Sequence, residues 1–474
     1  MRKGFLIVLA VVLAAALAVP AMADTSINGF IKSRAFVSNF KAYGAGYTAP
    51  LADAPTASYV EERAHLYLKA GDENVQAIYR FEFDQAWGDT AYTNGRGMGG
   101  GLDTDTTNIE TKDLYVWFKV PNTSWTFSVG VLPVVDDYAG VFVGVAADAA
   151  GAFTTFNYAP VSVKLGVAKF WENNIKKADD IDWYVSEVKF APAKDVKLGF
   201  NLYYLNDMSG GVKGPTSAVG TDNAGNTIAG YNGRGAVGTW MPGEIASGYR
   251  TLRIWMPGVS FSANAGPATI SGFAFYQTGK AEYTSGVPSV NVKGYAADVR
   301  ADAKLGPGSG FLEFLYVSGD GKKTDKDYKG IITGSNYQLA TSYYYRGDFQ
   351  ILFPSGDDCS TSYGLAYDPA NGGAGVVHVA TGFTMKMGDK LTGKVGAGYL
   401  AAAKKRVRDV GSAYNFANNS AMGTEVNATV TYNILKGLDA GLVGAYAWLG
   451  NAYKTASVDP DNLYDVHARL VYAF

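Results

Sequence analysis

The sequence predicts an all-β fold, a transmembrane antiparallel up-and-down β-barrel of about 18 strands, on three observations. Segments of about ten residues alternate strictly between apolar and polar side chains, the rhythm of a sheet with one greased and one wetted face. Beyond residue 24, no segment reaches the roughly 18 uninterrupted apolar residues of a spanning helix. The longest candidate, Ala139 to Phe153, carries Asp148, and a closed sheet is the other structure that satisfies every backbone polar group in lipid. Third, the 474 residues include 58 Gly, 32 Tyr, 24 Phe and 8 Trp, with only 18% charged, as aromatic girdles and glycine-rich turns demand.

The last segment carries the rhythm most clearly. Tyr464, Val466, Ala468, Leu470, Tyr472 and Phe474 share one face, and Asp465, His467 and Arg469 share the other. From Met422 to Ile434, Val426, Ala428, Val430 and Tyr432 oppose Glu425, Asn427, Thr429, Thr431 and Asn433. Between Tyr295 and Leu305 the odd positions are apolar, while Asp298, Arg300, Asp302 and Lys304 form a charged ladder. One such strand fits either a half-exposed soluble sheet or a lipid-facing wall around water. Many in series, with too few helical segments to cover them, favour lipid.

Strands are expected near 26–38, 59–70, 74–85, 110–120, 123–132, 152–159, 161–171, 181–190, 195–206, 249–263, 267–278, 291–304, 310–318, 376–387, 390–401, 421–434, 437–449 and 463–474. A 16-strand barrel is also possible, and a further hairpin around Tyr337 to Phe353 would use Tyr343-Tyr344-Tyr345. Short connections such as Gly71-Asp72, Pro121-Asn122, Ala159-Pro160, Ala191-Pro192, Gly388-Asp389 and Lys436-Gly437 have tight-turn chemistry and read as periplasmic turns. Long polar stretches, notably 207–248 and 319–375, read as extracellular loops.

Residues 1–23 have the form of a signal peptide: Arg2 and Lys3, an apolar run from Phe5 to Val19, and Ala21-Met22-Ala23 as a small-x-small site. Cleavage after Ala23 would leave one domain, 24–474, bound for the outer membrane of a Gram-negative cell as a multi-pass barrel. The single Cys359 removes thiolate metal sites and redox pairs. The net charge of −2 argues against nucleic acid. Lys404, Lys405, Arg406 and Arg408 read as a solvated loop patch, with anionic headgroups as the alternative partner.

Placing the odd positions of the first strand (Ile27, Ile31, Ala35, Val37) toward lipid turns Lys32 and Arg34 inward. The same rule turns Glu61, Arg63, His65, Tyr67 and Lys69 inward on the second strand, and Arg80, Glu82 and Asp84 on the third. Counting from the turns puts Arg34, Arg63 and Arg80 at similar heights, a basic wall. Strands about 4.8 Å apart make like charges there repel by nearly 1 kcal/mol per pair. Interleaved ion pairs with Glu61 and Glu82 are the structural alternative. For a functional constriction, the third long connection offers Asp136, Asp137 and Asp148. Its remainder, Gly140-Val141-Phe142-Val143-Gly144-Val145-Ala146-Ala147, is too apolar for open water, so the loop is expected to fold into the barrel.

Together the leader, the alternating strands, the inward third loop, the basic wall and the terminal Phe474 resemble the bacterial general porins, and in detail the trimeric porins of sulfate- and metal-reducing bacteria. The resemblance implies a water-filled channel for passive diffusion of small hydrophilic solutes and ions. Acidic Asp136, Asp137 and Asp148 would then oppose Lys32, Arg34, Arg63 and Arg80 across a constriction. It also implies a homotrimer in outer-membrane lipid and lipopolysaccharide, with Tyr472 and Phe474 as the signal read by the barrel-assembly machinery. Small outward residues, Gly29, Ala35, Ala440 and Gly444, suit close packing of subunits. The enteric Pro-Glu-Phe-Gly-Gly loop motif is lacking, and 18 strands resemble substrate-specific (OprD-like) and alginate-export channels; a barrel receptor or adhesin is a further alternative.

No enzyme signature accompanies this pattern. His65, His378 and His467 have no Gly-x-Ser-x-Gly nucleophile and read as luminal polar groups. Asp320, Asp325 and Asp327 miss calcium-loop spacing and sit among lysines. No Cys-x-x-Cys-His occurs for haem. No cofactor or metal is expected.

Overall fold

The computed structural model describes residues 24–40, 56–88, 97–100, 108–144, 147–172, 178–211, 220–221, 227–228, 245, 248–283, 286–321, 326–337, 349–353, 355–356, 364–366, 368–405, 419–454 and 459–474. The expected signal peptide, Asp325, Tyr343 to Tyr345, Cys359, Arg406 and Arg408 lie outside the described residues.

Alternation along each segment produces strands that pair with their sequence neighbours. They are β1 (Asp24–Ser38), β2 (Ala57–Gly71), β3 (Val75–Trp87), β4 (Asn108–Lys119), β5 (Trp125–Pro133) and β6 (Asp148–Tyr158). Then follow β7 (Val161–Trp171), β8 (Ile181–Ala193), β9 (Val196–Asp207) and β10 (Tyr249–Ala265). β11 is interrupted at Gln277 (Ala268–Tyr276, Thr278–Tyr283), and β12 likewise comes in two pieces (Val290–Val292, Tyr295–Leu305). The rest are β13 (Gly308–Val317), β14 (Val376–Lys386), β15 (Leu391–Ala402), β16 (Ala421–Leu435), β17 (Leu438–Leu449) and β18 (Leu463–Ala473). β18 pairs antiparallel with β1, from Phe30↔Ala473 to Ser38↔Asp465, so the 18 strands close into a barrel. Phe474 completes the seam by exchanging two 3.1 Å backbone hydrogen bonds with Gly29.

The short connections gather at one end and the long ones at the other. The first short turn shows why it is tight: Asp72 Oδ1 accepts from the N–H groups of Asn74 (2.7 Å) and Val75 (2.9 Å), and Gly71 supplies a φ of 136° that side chains disfavour. Outward positions are apolar and exposed, among them Ile27, Ile31, Val37, Val299, Leu442, Val466 and Leu470. Outward aromatics cluster toward both ends, with Tyr158, Tyr432 and Tyr472 near the short turns and Trp87, Tyr184, Trp255, Tyr276 and Trp448 near the long loops, the girdles of an interfacial barrel.

The hydrophobic core lies inside the barrel. Tyr138, Val141, Phe142 and Val143 are fully buried against Trp183 and Tyr203 of the inner wall, so the third long connection folds inward. Of the stretch 319–375, expected as an extracellular loop, described segments also enter: Ile331, Ile332, Ile351 and Leu352 are buried. Gln277, where β11 breaks, clamps it by donating to the Ile332 carbonyl (2.6 Å) and accepting from the Ile332 N–H (2.8 Å). Glu425 of β16 accepts from the N–H groups of Gln350, Ile351 and Leu352 at 2.7–3.0 Å. The two loops meet where Gly334 donates to the Phe142 carbonyl at 2.6 Å. Residues 350–353 form bends, and the Tyr343-Tyr344-Tyr345 run of the expected extra hairpin lies outside the described residues.

Candidate functional site: the lumen and its charge ladder

Lys32, Arg34, Arg63 and Arg80 all point inward, but the pairing register corrects their relative heights. Arg34 stands opposite Glu61, Arg63 opposite both Lys32 and Asp84, and Arg80 opposite Tyr67 and Asp113. On β2 these rows fall at positions 61, 63 and 67, so Arg34 and Arg80 are separated by six residues, about 20 Å along the strand. Instead of a wall of like charge, the side chains form a ladder of opposite charges. Arg34 pairs with Glu61. Arg63 forks onto Asp84 with two hydrogen bonds of 2.6 and 2.7 Å, and reaches Glu82 at 3.5 Å. His65 Nε2 lies 2.5 Å from Glu82.

The lowest rung engages the end of the third loop. A bulge in β4 shifts the register between Arg80 and Phe81, and it turns the consecutive Lys112 and Asp113 both inward, buried. Arg80 then pairs with Asp113 (2.9 Å) and Asp148 (3.2 Å), and Lys112 with Asp148 (2.9 Å). Asp148, the first residue of β6, is the loop acid that meets the wall expected to be basic.

The other two loop acids do different things. Asp136 is buried, and its carboxylate accepts from the backbone N–H groups of Tyr138, Gly140, Phe142 and Val143 at 2.6–3.0 Å. It staples the loop's own turn and, among the described residues, pairs with no arginine. Burial pushes its carboxyl up to about 7 in spite of four donors. Asp137 reaches the wall formed by β8 to β10, lying 2.6 Å from Lys189 Nζ and accepting from Ser260 Oγ (2.5 Å) and Asn201 Nδ2 (3.1 Å). Glycine makes that approach possible: a Cβ at Gly199 would stand 2.6 Å from Asp137 Oδ2, and one at Gly258 equally close to the Tyr138 hydroxyl.

Below this crossing a cavity of about 770 Å³ opens toward the short turns, lined by Asp137, Lys189, Lys197, Ser260, Asp298 and Arg300 among others. Within the expected ladder of β12, Arg300 pairs with Asp302 (3.0 Å) and with Glu313 of β13 (2.8 Å), its guanidinium 4.0 Å above the Phe311 ring. Asp298 is buried, whereas Lys304 is exposed. His378 lies between Phe349 and Phe353, and His467 Nδ1 is 3.0 Å from Asp465. Tyr472 and Phe474 are half-exposed on the outer face with ring centroids 5.8 Å apart. Gln277, Glu425, Lys112 and Asp113 escaped sequence reasoning.

Known barrels share this architecture. OccAB4 of Acinetobacter baumannii superposes with a TM-score of 0.52 at 9% identity, covering 95% of this chain and 98% of that one. A BenF-like porin of Pseudomonas fluorescens Pf-5 gives 0.52 at 12%, with the same coverage. OpdK of Pseudomonas aeruginosa, solved with vanillate, gives 0.51 at 9%, again over 95% and 98%. At such identities the likeness is one of fold, a porin-type closed barrel. No family profile matches the sequence, and no curated protein does.

Proposed function

We propose that this chain is a porin of the Gram-negative outer membrane, a water-filled channel through which small hydrophilic solutes and ions diffuse passively. The observation that carries it is the inversion of polarity: apolar side chains and aromatic girdles cover the outside, while charges and the loop core occupy the inside. A soluble protein has no use for that arrangement. No bond is made or broken; fixed charges across a narrow polar gap sort solutes by size, charge and dipole. The reading includes export with cleavage after Ala23, insertion by the barrel-assembly machinery through Tyr472 and Phe474, and assembly as a homotrimer like that of the sulfate- and metal-reducer porins. It is a channel and not an enzyme.

Two inward loops favour a selective channel over a wide general pore. The cavity below the Asp137–Lys189 crossing suits a small organic solute, the class to which the vanillate of OpdK belongs. Purified protein in a planar lipid bilayer should give stepwise conductance, with small permeant organic solutes reducing the current. A polypeptide that stays folded and soluble without detergent or lipid, or adds no steps to the bilayer, overturns the reading.

A further inference from the structure

Three cations leave the lumen and face outward where β10 and β11 approach the long-loop end. Arg253 and Lys280 are register partners across these strands, and Arg250 occupies the irregularity between Tyr249 and Thr251 just above. The side chains of Arg250 and Arg253 are 67% and 48% exposed, and Lys280 is exposed as well. One carboxylate lies among them: Glu282 Oε2 is 3.4 Å from Arg250 and 3.8 Å from Arg253, and accepts from Thr251 Oγ1 at 3.0 Å. Three cations against one anion leave a surplus of positive charge. Among the described residues Lys280 forms an ion pair with no carboxylate. Around the barrel, on β7 and β8, Lys169 sits among Glu172, Asp180 and Asp182, so that sector carries no such surplus.

What lies beneath fixes the depth. Two residues down β10 from Arg253, Trp255 stacks on Tyr204 with centroids 4.3 Å apart, and Tyr184 follows at 5.8 Å from Tyr204. Two strand residues span about 7 Å. Aromatic belts settle at the boundary of hydrocarbon and headgroup, so the cations stand one step beyond it, in the layer of lipid phosphates.

We propose that Arg250, Arg253 and Lys280 form a binding site for the phosphate of an anionic lipid headgroup in the leaflet at the long-loop end. The site rests on the reading of the chain as a membrane-spanning barrel. Arginine offers forked N–H donors to phosphate oxygens, and lysine a compact charge beside them. Glu282 lies within 4 Å of the two arginines and feels the charge of Lys280 as well, so one carboxylate gathers three cations and offsets only one of them.

The test is native mass spectrometry of the full chain in mild detergent, titrated with phosphatidylglycerol, lipid A or phosphatidylcholine, with single-channel conductance recorded in parallel. The native protein should retain phosphatidylglycerol and lipid A in preference to phosphatidylcholine. The R253Q/K280Q variant should bind them about 30-fold more weakly at unchanged conductance, and K390Q at the other end should bind normally. Equal retention by R253Q/K280Q and native protein overturns the site. So does displacement of the lipid by inorganic phosphate at comparable concentration, which would make the cluster a soluble-anion site. Loss of conductance in the native protein would instead strike the channel reading, separately.

Discussion

Two sectors of the inner wall handle charge differently. From β1 to β4 nearly every charged luminal side chain is buried against a partner of opposite sign: Arg34 on Glu61, Arg63 on Asp84, Arg80 on Asp113 and Asp148. From β8 to β12, Lys189 is 55% exposed although Asp137 touches it, Lys197 and Lys304 are exposed, and a cavity stands in front of them. The first sector is a self-compensated scaffold; the second presents lysines to whatever occupies the lumen. The same residue types thus serve stability on one wall and selectivity on the other, and burial decides which.

The largest effect should come from breaking the scaffold. Arg34→Met breaks the ion pair with Glu61, which has no solvent exposure, and breaking a buried pair costs about 3–5 kcal/mol. Removing both charges with R34M/E61L should restore most of it, since apolar replacements of buried pairs are often neutral. Thermal unfolding of the folded barrel in detergent measures both. If the single variant melts with the native protein, the first wall is not the compensated structure described.

Next in size is the reverse test on the second wall. K189M and K197M should leave the melting temperature nearly unchanged, within about 0.5 kcal/mol as for surface positions, yet shift the reversal potential in a salt gradient toward cations. If the same shift followed from R34M/E61L and not from K189M, the division of labour would be the opposite of the one argued.

Sequence alone carried the strand pattern far because a barrel strand has a period of two and each residue's face follows from parity. Ile27, Ile31, Ala35 and Val37 face outward, and Lys32 and Arg34 the lumen, as parity requires. Relative height is not a parity property. It depends on the register across each turn and on bulges such as that at Lys112, and an uncertainty of a few residues in strand ends moves a rung, which is why Arg34, Arg63 and Arg80 are expected at similar heights. The inward third loop was legible from its apolar run. The inward segments around 331–332 and 351–353 had a comparable signal in Ile331-Ile332 and Ile351-Leu352-Phe353, diluted by polar flanks. Asp136 shows what composition cannot convey: an acid in a loop near a lumen looks like a field-forming group, and only geometry reveals four backbone donors around it.

The smallest expected effect concerns that same aspartate. Its carboxyl is raised from an ordinary 3.8 to about 7, burial being the largest cause. A folded-state value above the unfolded one means that the folded loop binds the proton more tightly. Its stabilising contribution is therefore complete below about pH 4 and lost as the pH rises through about 7. The D136N variant lacks this titration. The difference in melting temperature between native protein and D136N should move in favour of the native protein as pH falls from 8 to 4, and a difference that is flat over that range would mean that the four N–H donors, rather than burial, govern the group.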